Sequence, residues 1–251
     1  MRIERLGGGI TNRNYKLTFG NEAFVLRIGG NDTERLGIDR AVERAATENA
    51  ARLGIGPEVV DFLEPEGFLV TRFLEGEVGR LTRAEGEALL ARLHAGPPIP
   101  GRFDVFRVVE AYAEINEPPQ FRWAQSVARR IETRLAGRPL AACHNDLLPA
   151  NFVHDGERLF LVDWEYAGMG DPDFDLANFA VNNDFPVADD EPDEVVLMRF
   201  MSDFREAMWG AVQQRLSALD FDFVDHADRH FERLEATASD PRFTLALSSG
   251  A

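Results

Sequence analysis

Lysine is nearly absent from this 251-residue chain: Lys16 stands alone among 27 lysines and arginines. Cationic chemistry therefore falls to arginine, which stays charged and presents a planar fork of donors. Cysteine is limited to Cys143, which excludes a disulfide framework and points to a reducing compartment. Long apolar runs are missing, so no segment reaches the length of a membrane span. The opening MRIERLGGG also has no apolar signal core. Basic charge is in deficit, with 43 acidic residues and a formal net charge of -16. That balance argues against a surface that tracks the phosphates of nucleic acid. Internal repeats and low-complexity tracts do not occur. The composition is that expected of a cytoplasmic globular protein, long enough for one large domain or two lobes.

The pattern changes near residue 76. Ahead of it, Tyr15, Leu17 and Phe19 alternate with polar residues, Gly20-Asn21 supplies a turn, and Phe24, Leu26 and Ile28 resume the alternation. This is a β-hairpin with one apolar face, and it puts Val25 and Arg27 on the other. IDRAVERAATENAARLG follows as a helix stopped by Gly54, with Val42, Ala46, Asn49, Ala50 and Leu53 on one side. EVVDFL and GFLVTRFL read as an antiparallel pair around a turn at 65–67. Beyond Gly76 helices dominate. Thr82 and Glu85 form a capping box, and helices are expected over 103–117, 120–135, 193–219 and 221–236. The acidic run PVADDEPD, Pro186 to Asp193, reads as a mobile loop. The expected class is α+β: residues 1–76 form a small antiparallel-sheet lobe with one helix, and residues 77–251 a larger, mainly helical lobe.

The densest chemistry lies in ACHNDLLPANF and the following LFLVDWEY. His144, Asp146 and Asn151 share one short loop, and Asp163 ends the next apolar run. Phosphoryl transfer needs a carboxylate that orients an attacking hydroxyl and takes its proton. It also needs an amide and a second carboxylate to hold magnesium on a nucleotide. The spacing from Asp146 to Asn151 equals that of the protein-kinase catalytic loop H-R-D-x-x-x-x-N, with Asn145 in the Arg place. Asp146 is then the catalytic base and Asn151 and Asp163 are the metal ligands, while His144 ties the loop to nearby backbone. A Ser-His-Asp alternative lacks its G-x-S-x-G elbow. Ahead of the hairpin, Gly7, Gly8 and Gly9 would let backbone N–H groups approach phosphate oxygens, with Thr11, Asn12 and Asn14 as side-chain donors. Kinases also place a phosphate-holding cation on the third strand and pair it with a helix Glu. Lys16 lies on the preceding strand, which leaves Arg27. For the partner, the helix offers Glu43 and Glu48, and Glu43 could equally pair with Arg40 or Arg44.

GGGITNRNYKL, FVLRIGG, IDRAVE, ACHNDLLPANF, LVDWEYAGMGDPDFDLANF and MWGAVQQRLSALDFDF occur in the order seen in bacterial choline kinase-like phosphotransferases. Over almost its whole length the chain resembles the choline/ethanolamine kinases of the aminoglycoside phosphotransferase superfamily. The resemblance implies a protein-kinase-like two-lobe fold, ATP and Mg2+ as cofactors, and a small-molecule acceptor. It implies arginine as the phosphate cation, as in VLRIGG, and favours Glu43 over Glu48, which falls outside IDRAVE. The nucleotide site it implies runs over Gly8, Gly9, Thr11, Asn12, Asn14, Arg27 and Glu43 to Arg72, Phe73 and Leu74.

A quaternary ammonium is best held by aromatic faces with carboxylates nearby. Tyr166 and Trp209 stand where choline kinase motifs carry cage aromatics, and Glu165 is the nearest acidic candidate. Trp209 also flanks the apolar stripe Leu197, Met201, Phe204, Met208, Val212 and Leu216, so packing is its second reading. Eukaryotic members carry another tryptophan where Glu206 stands and a further aromatic where His226 falls. The thinner cage widens the expected acceptor from choline to ethanolamine and similar amino alcohols. Aminoglycoside kinase, thiamine kinase and a nucleotide-binding pseudokinase are the alternatives. Cys143, His94 and Trp123 read as packing residues, and Asp173 as a helix N-cap.

Overall fold

The computed structural model describes residues 1–7, 12–30, 33–64, 66–79, 81–217 and 219–249. In chain order its elements begin with β1 (Arg2–Arg5), β2 (Arg13–Phe19), β3 (Glu22–Ile28), α1 (Arg40–Arg52), β4 (Val59–Leu63), β5 (Phe68–Arg72), β6 (Glu77–Val78) and α2 (Arg83–His94). They continue with α3 (Val105–Ile115), α4 (Phe121–Arg134), β7 (Ala141–Cys143), β8 (Phe152–His154), β9 (Leu159–Leu161) and β10 (Gly168–Gly170). Four helices end the chain: α5 (Pro172–Asn182), α6 (Asp193–Leu216), α7 (Phe223–Ser239) and α8 (Pro241–Ser248). Two compact units result, residues 1–102 with 141–169, and residues 103–140 with 170–251.

The first unit is built on a five-stranded sheet, order β1-β2-β3-β5-β4, with antiparallel pairing throughout. Tyr15 sits opposite Leu26 and Leu17 opposite Phe24, the register that the alternation predicts. Gly20 turns the hairpin at φ 60°, a conformation that costs glycine nothing sterically. β3 is the central strand, flanked by β2 and β5, and this takes Arg27 out of water. α1 starts on Asp39, whose carboxylate accepts the Ala41 N–H at 2.9 Å and the Val42 N–H at 3.2 Å. It stops at Gly54, φ 65°. Its buried face is Glu43, Ala46, Thr47, Asn49 and Ala50, rotated away from the expected Val42 edge. The rotation follows from Glu43, which has buried cations to meet. The Thr82 and Glu85 capping box is present, opening α2. A second sheet, β6-β8-β9, carries the segment between Asn151 and Asp163.

In the second unit, helices pack on α6, which is buried from Val195 to Gln213 around its whole circumference. The apolar stripe is therefore only part of what α6 buries, since Arg199, Ser202, Asp203, Arg205 and Glu206 are buried as well. α5 is capped by Asp171, which accepts the Asp173 N–H at 3.0 Å, and Asp173 instead pairs with Arg138. The PVADDEPD run is a loop, as expected, and arginines bond both ends of it. Arg199 reaches the Phe185 carbonyl at 3.0 Å and Glu191 at 2.9 Å, and Arg242 reaches the Glu191 carbonyl at 2.8 Å. Trp123 is half-exposed and sets its edge against Phe200. Among the described residues no helix is long and apolar enough to cross a membrane.

Gly76, at the change of pattern, leads directly into β6. A Cβ there would meet the His154 carbonyl oxygen at 2.5 Å, and paired backbone has little freedom to retreat. Gly76→Ala should destabilise the chain by about 1–3 kcal/mol, the range for overpacking. Urea unfolding beside the wild type measures this; an unshifted midpoint would refute the contact.

Candidate active site

Arg27 stands at the centre of the site. From β3 its Nη2 meets Glu43 of α1, its Nη1 donates to Asp163 Oδ1 at 2.9 Å, and Glu165 Oε2 lies 3.5 Å away. Arg40 joins from the first turn of α1. Its Nη1 reaches Glu43 Oε2 at 2.8 Å and Glu165 Oε2 at 3.4 Å, and its Nη2 reaches Thr33 Oγ1 at 3.1 Å and Asn12 Oδ1 at 3.3 Å. Asn12 closes the circuit by donating Nδ2 to Glu165 Oε2 at 2.9 Å. Glu43 thus contacts both Arg27 and Arg40. The sequence offers Arg40 only as a helix-local partner of Glu43, and nothing in its spacing signals the reach to Asn12 and Glu165. Gly29 leaves the room for it, because a Cβ there would lie 2.6 Å from Arg40 Nη2.

This cluster sets two guanidiniums among three carboxylates, Glu43, Asp163 and Glu165. Burial raises the Glu165 carboxyl above its ordinary value and the Asp163 charge adds to the rise, against Arg27, Asn12 and Arg40. Burial lowers Arg40, and the Arg27 charge lowers it further. Lys16 takes no part: its Nζ pairs with Glu75 at 2.9 Å and sits 3.6 Å from the centre of the Phe73 ring.

The loop residues are held from below. Asn145 and Asp163 both adopt positive φ, 66° and 67°, a region tolerated by Asn and Asp better than by other side chains. Asn145 Nδ2 donates to the Tyr166 carbonyl at 3.0 Å. His144 Nδ1 accepts the Asp146 N–H at 3.2 Å, which makes Nε2 the donor to the Val162 carbonyl at 3.1 Å. That is the backbone-tying part expected of His144. Asn151 donates Nδ2 to the Asp146 carbonyl at 2.8 Å and to its Oδ2 at 3.4 Å. The Asn151 amide oxygen is then the atom it can offer a cation.

Arg27, Glu43, Asn151 and Asp163 line one cavity of about 440 Å³, together with Gly7, Asn14 and the 72–74 segment. Arg72 turns its guanidinium to Glu22 at 2.9 Å and Glu58 at 3.0 Å, and these bonds, Glu22 first, raise its pKa. Gly8, Gly9 and Thr11 lie outside the described residues. Oxygen donors and an excess of one carboxylate suit a hard divalent cation such as magnesium at Asn151 and Asp163. Of the acceptor residues, Glu165 is drawn into the arginine cluster and Tyr166 is buried in the first unit. Trp209 belongs to the second unit, its ring edge-on to Phe223 at 5.8 Å and to His226 at 5.5 Å.

The model of the phosphotransferase enzyme family matches residues 2–216. Protein LicA of Haemophilus influenzae is 32% identical over 189 residues, which is 68% of this chain and 55% of the relative's length. A solved choline/ethanolamine kinase family protein from Mesorhizobium loti aligns at a TM-score of 0.81 and 30% identity, covering 99% of this chain and 92% of that one. The choline kinase LicA of Streptococcus pneumoniae aligns at 0.79 and 24% identity, covering 94% of each chain. The fold is thus that of the kinase-like phosphotransferases, as the sequence resemblance implies.

Removing one partner of a buried ion pair leaves an uncompensated charge and costs about 3–5 kcal/mol. Glu43→Ala should fall near the lower end of that range, because Asp163 and Glu165 still face Arg27. Denaturant unfolding checks it, and a loss well under the range would mean that Glu43 is dispensable to the cluster.

Proposed function

The chain belongs to the phosphotransferase enzyme family, and from that premise we propose that it transfers the γ-phosphoryl group of ATP to the hydroxyl of a small cationic amino alcohol, choline or ethanolamine foremost. The observation that carries the reading is the Arg27–Asp163 bond in a cavity shared with Asn151, whose amide is bonded to Asp146. Cation, metal ligands and base then stand in one connected group. Functionally we divide the chain at Gly76, with nucleotide contacts before it and base, metal ligands and acceptor contacts after it. A cytoplasmic location follows from the same reading, since that is where ATP is plentiful.

Asp146 orients the acceptor hydroxyl and takes its proton as the oxygen attacks the γ-phosphorus in line. Arg27, held straight by Glu43, offsets charge on the nucleotide phosphates. Asn151 and Asp163 would hold Mg2+, which when bound neutralises phosphate charge. Asn12, Asn14 and the 72–74 segment bound the nucleotide. On the acceptor side, Tyr166 and Trp209 supply aromatic faces to the ammonium. Glu165 adds its charge there only in part, since Asn12 and Arg40 share it.

Magnesium-dependent ADP release across choline, ethanolamine, thiamine and aminoglycosides tests the reading. Turnover confined to thiamine or an aminoglycoside would move the acceptor, and none with any compound would sink the assignment. Asp146→Asn should lower kcat by about 10²–10⁴-fold, the contribution of general base catalysis, with nucleotide binding retained. A near-normal rate at saturating acceptor would remove Asp146 as base. Asp163→Ala should weaken nucleotide binding in the presence of magnesium far more than in its absence. Calorimetry under both conditions decides, and an unchanged magnesium dependence would exclude Asp163 as a ligand.

A further inference from the structure

The second unit carries a histidine–carboxylate cluster, with Glu206 and His226 standing where the choline kinase motifs carry aromatics. α6 sets Asp203 and Glu206 one turn apart, α7 sets His226 and His230 one turn apart, and the two helices pack together. Glu206, His226 and His230 each offer one ligand atom, all within 4.8 Å of one another. Ligands of a four-coordinate zinc stand about 3.4 Å apart, from bonds of about 2.0–2.2 Å, so small side-chain rotations would close the site.

The surrounding contacts are those that metal ligands need. His230 Nδ1 meets Asp203 Oδ1 at 2.8 Å, and donation there leaves Nε2 with its lone pair. Glu206 gives Oε1 to Arg205 and turns Oε2 toward His226 Nε2 at 3.7 Å. His226 Nε2 is buried with no hydrogen-bond partner among the described residues. A buried nitrogen in that condition is costly, and a cation between it and Glu206 Oε2 removes the cost. Arg233 bonds Asp203 at 2.9 Å, so the two carboxylates already have two guanidiniums as outer partners.

We propose that Glu206, His226 and His230 bind a divalent transition cation, zinc by its preference for mixed nitrogen and oxygen ligands, with a water molecule in the fourth place. The ion clamps α6 to α7. The site lies beside Trp209, whose ring is edge-on to His226 at 5.5 Å, and zinc binding is read independently of phosphotransferase activity.

The test uses the full chain, stripped with EDTA, freed of chelator and titrated with zinc chloride against a chromophoric chelator. One zinc per chain should bind and raise Tm, and cobalt in its place should give the visible bands of a four-coordinate site. His226→Ala and His230→Ala should lose that ion, and Asp203→Asn should weaken it about 10–100-fold, the usual loss for an outer partner. Melting in EDTA establishes that each variant is folded. Should an alanine variant fail to fold, Glu206→Gln and Asp203→Asn make the comparison. Absence of stoichiometric zinc in the wild type would overturn the proposal, and so would folded variants that bind it unchanged.

Discussion

A guanidinium taken out of water keeps its charge, so a buried arginine has to be met by carboxylates that the fold brings to it. Arg27 is in that position, buried on the central strand of the sheet. Its partners come from separate pieces of chain: Glu43 from α1, Asp163 from the end of β9, and Glu165 just beyond. Neutralising one charge therefore fixes the helix against the sheet and the Asp163 loop against both. Arg40 and Asn12 extend the constraint to the chain ahead of the hairpin. The reaction proposed for the site uses the same atoms, since Arg27, held by three carboxylates, lines the cavity together with Glu43 and Asp163.

Backbone conformation carries the other half of the arrangement. Asn145 and Asp163 both sit at positive φ, each where a short strand gives way to a functional loop. The turn at Asn145 brings His144 and Asn151 round to bond Asp146 from two directions. Such conformations persist only where neighbours over-determine them. Here the Asn145 amide on the Tyr166 carbonyl and the Arg27 bond to Asp163 do so. The carboxylates thus stand on turns that are hydrogen-bonded from several sides.

Much of this was legible from residue order because it is local. The β2–β3 alternation and the Thr82 and Glu85 box are short-range patterns, and each predicts its element correctly, while the equally local Asp146 to Asn151 spacing has its two side chains bonded. What was hidden is long-range. Arg40 reads as a helix-surface cation until its partners at Asn12 and Glu165 are seen, residues far from it in sequence. α6 reads as one-sided because its apolar stripe is real, but its charged residues are buried too, Arg199 and Asp203 paired with other segments and Arg205 with its neighbour Glu206. PVADDEPD reads as a bare acidic loop because the arginines that bond it, Arg199 and Arg242, come later in the chain. The cap of α5 slipped from Asp173 to Asp171 because several Asp residues compete there, and Arg138 claims Asp173. The N-terminal helix stop at Gly54 was plain; the burial of Glu43 on the same helix was not.

The use of arginine for both cations of the cluster has a physical meaning. Arg27 and Arg40 share Glu43 and Glu165, so each cation lies within the field of the other while both are removed from water. Those conditions lower a basic group, and they do lower Arg40. A lysine starts with less margin and discharges readily when buried, whereas arginine retains its proton through shifts of several units. A second lysine in the place of Arg40 would tend to become neutral and leave Glu165 and Glu43 short of charge. Lys16, the lysine that exists, stands outside the cluster, beside Glu75 and the Phe73 ring. A site that crowds two cations to hold three carboxylates keeps its charge more securely with arginine than with lysine.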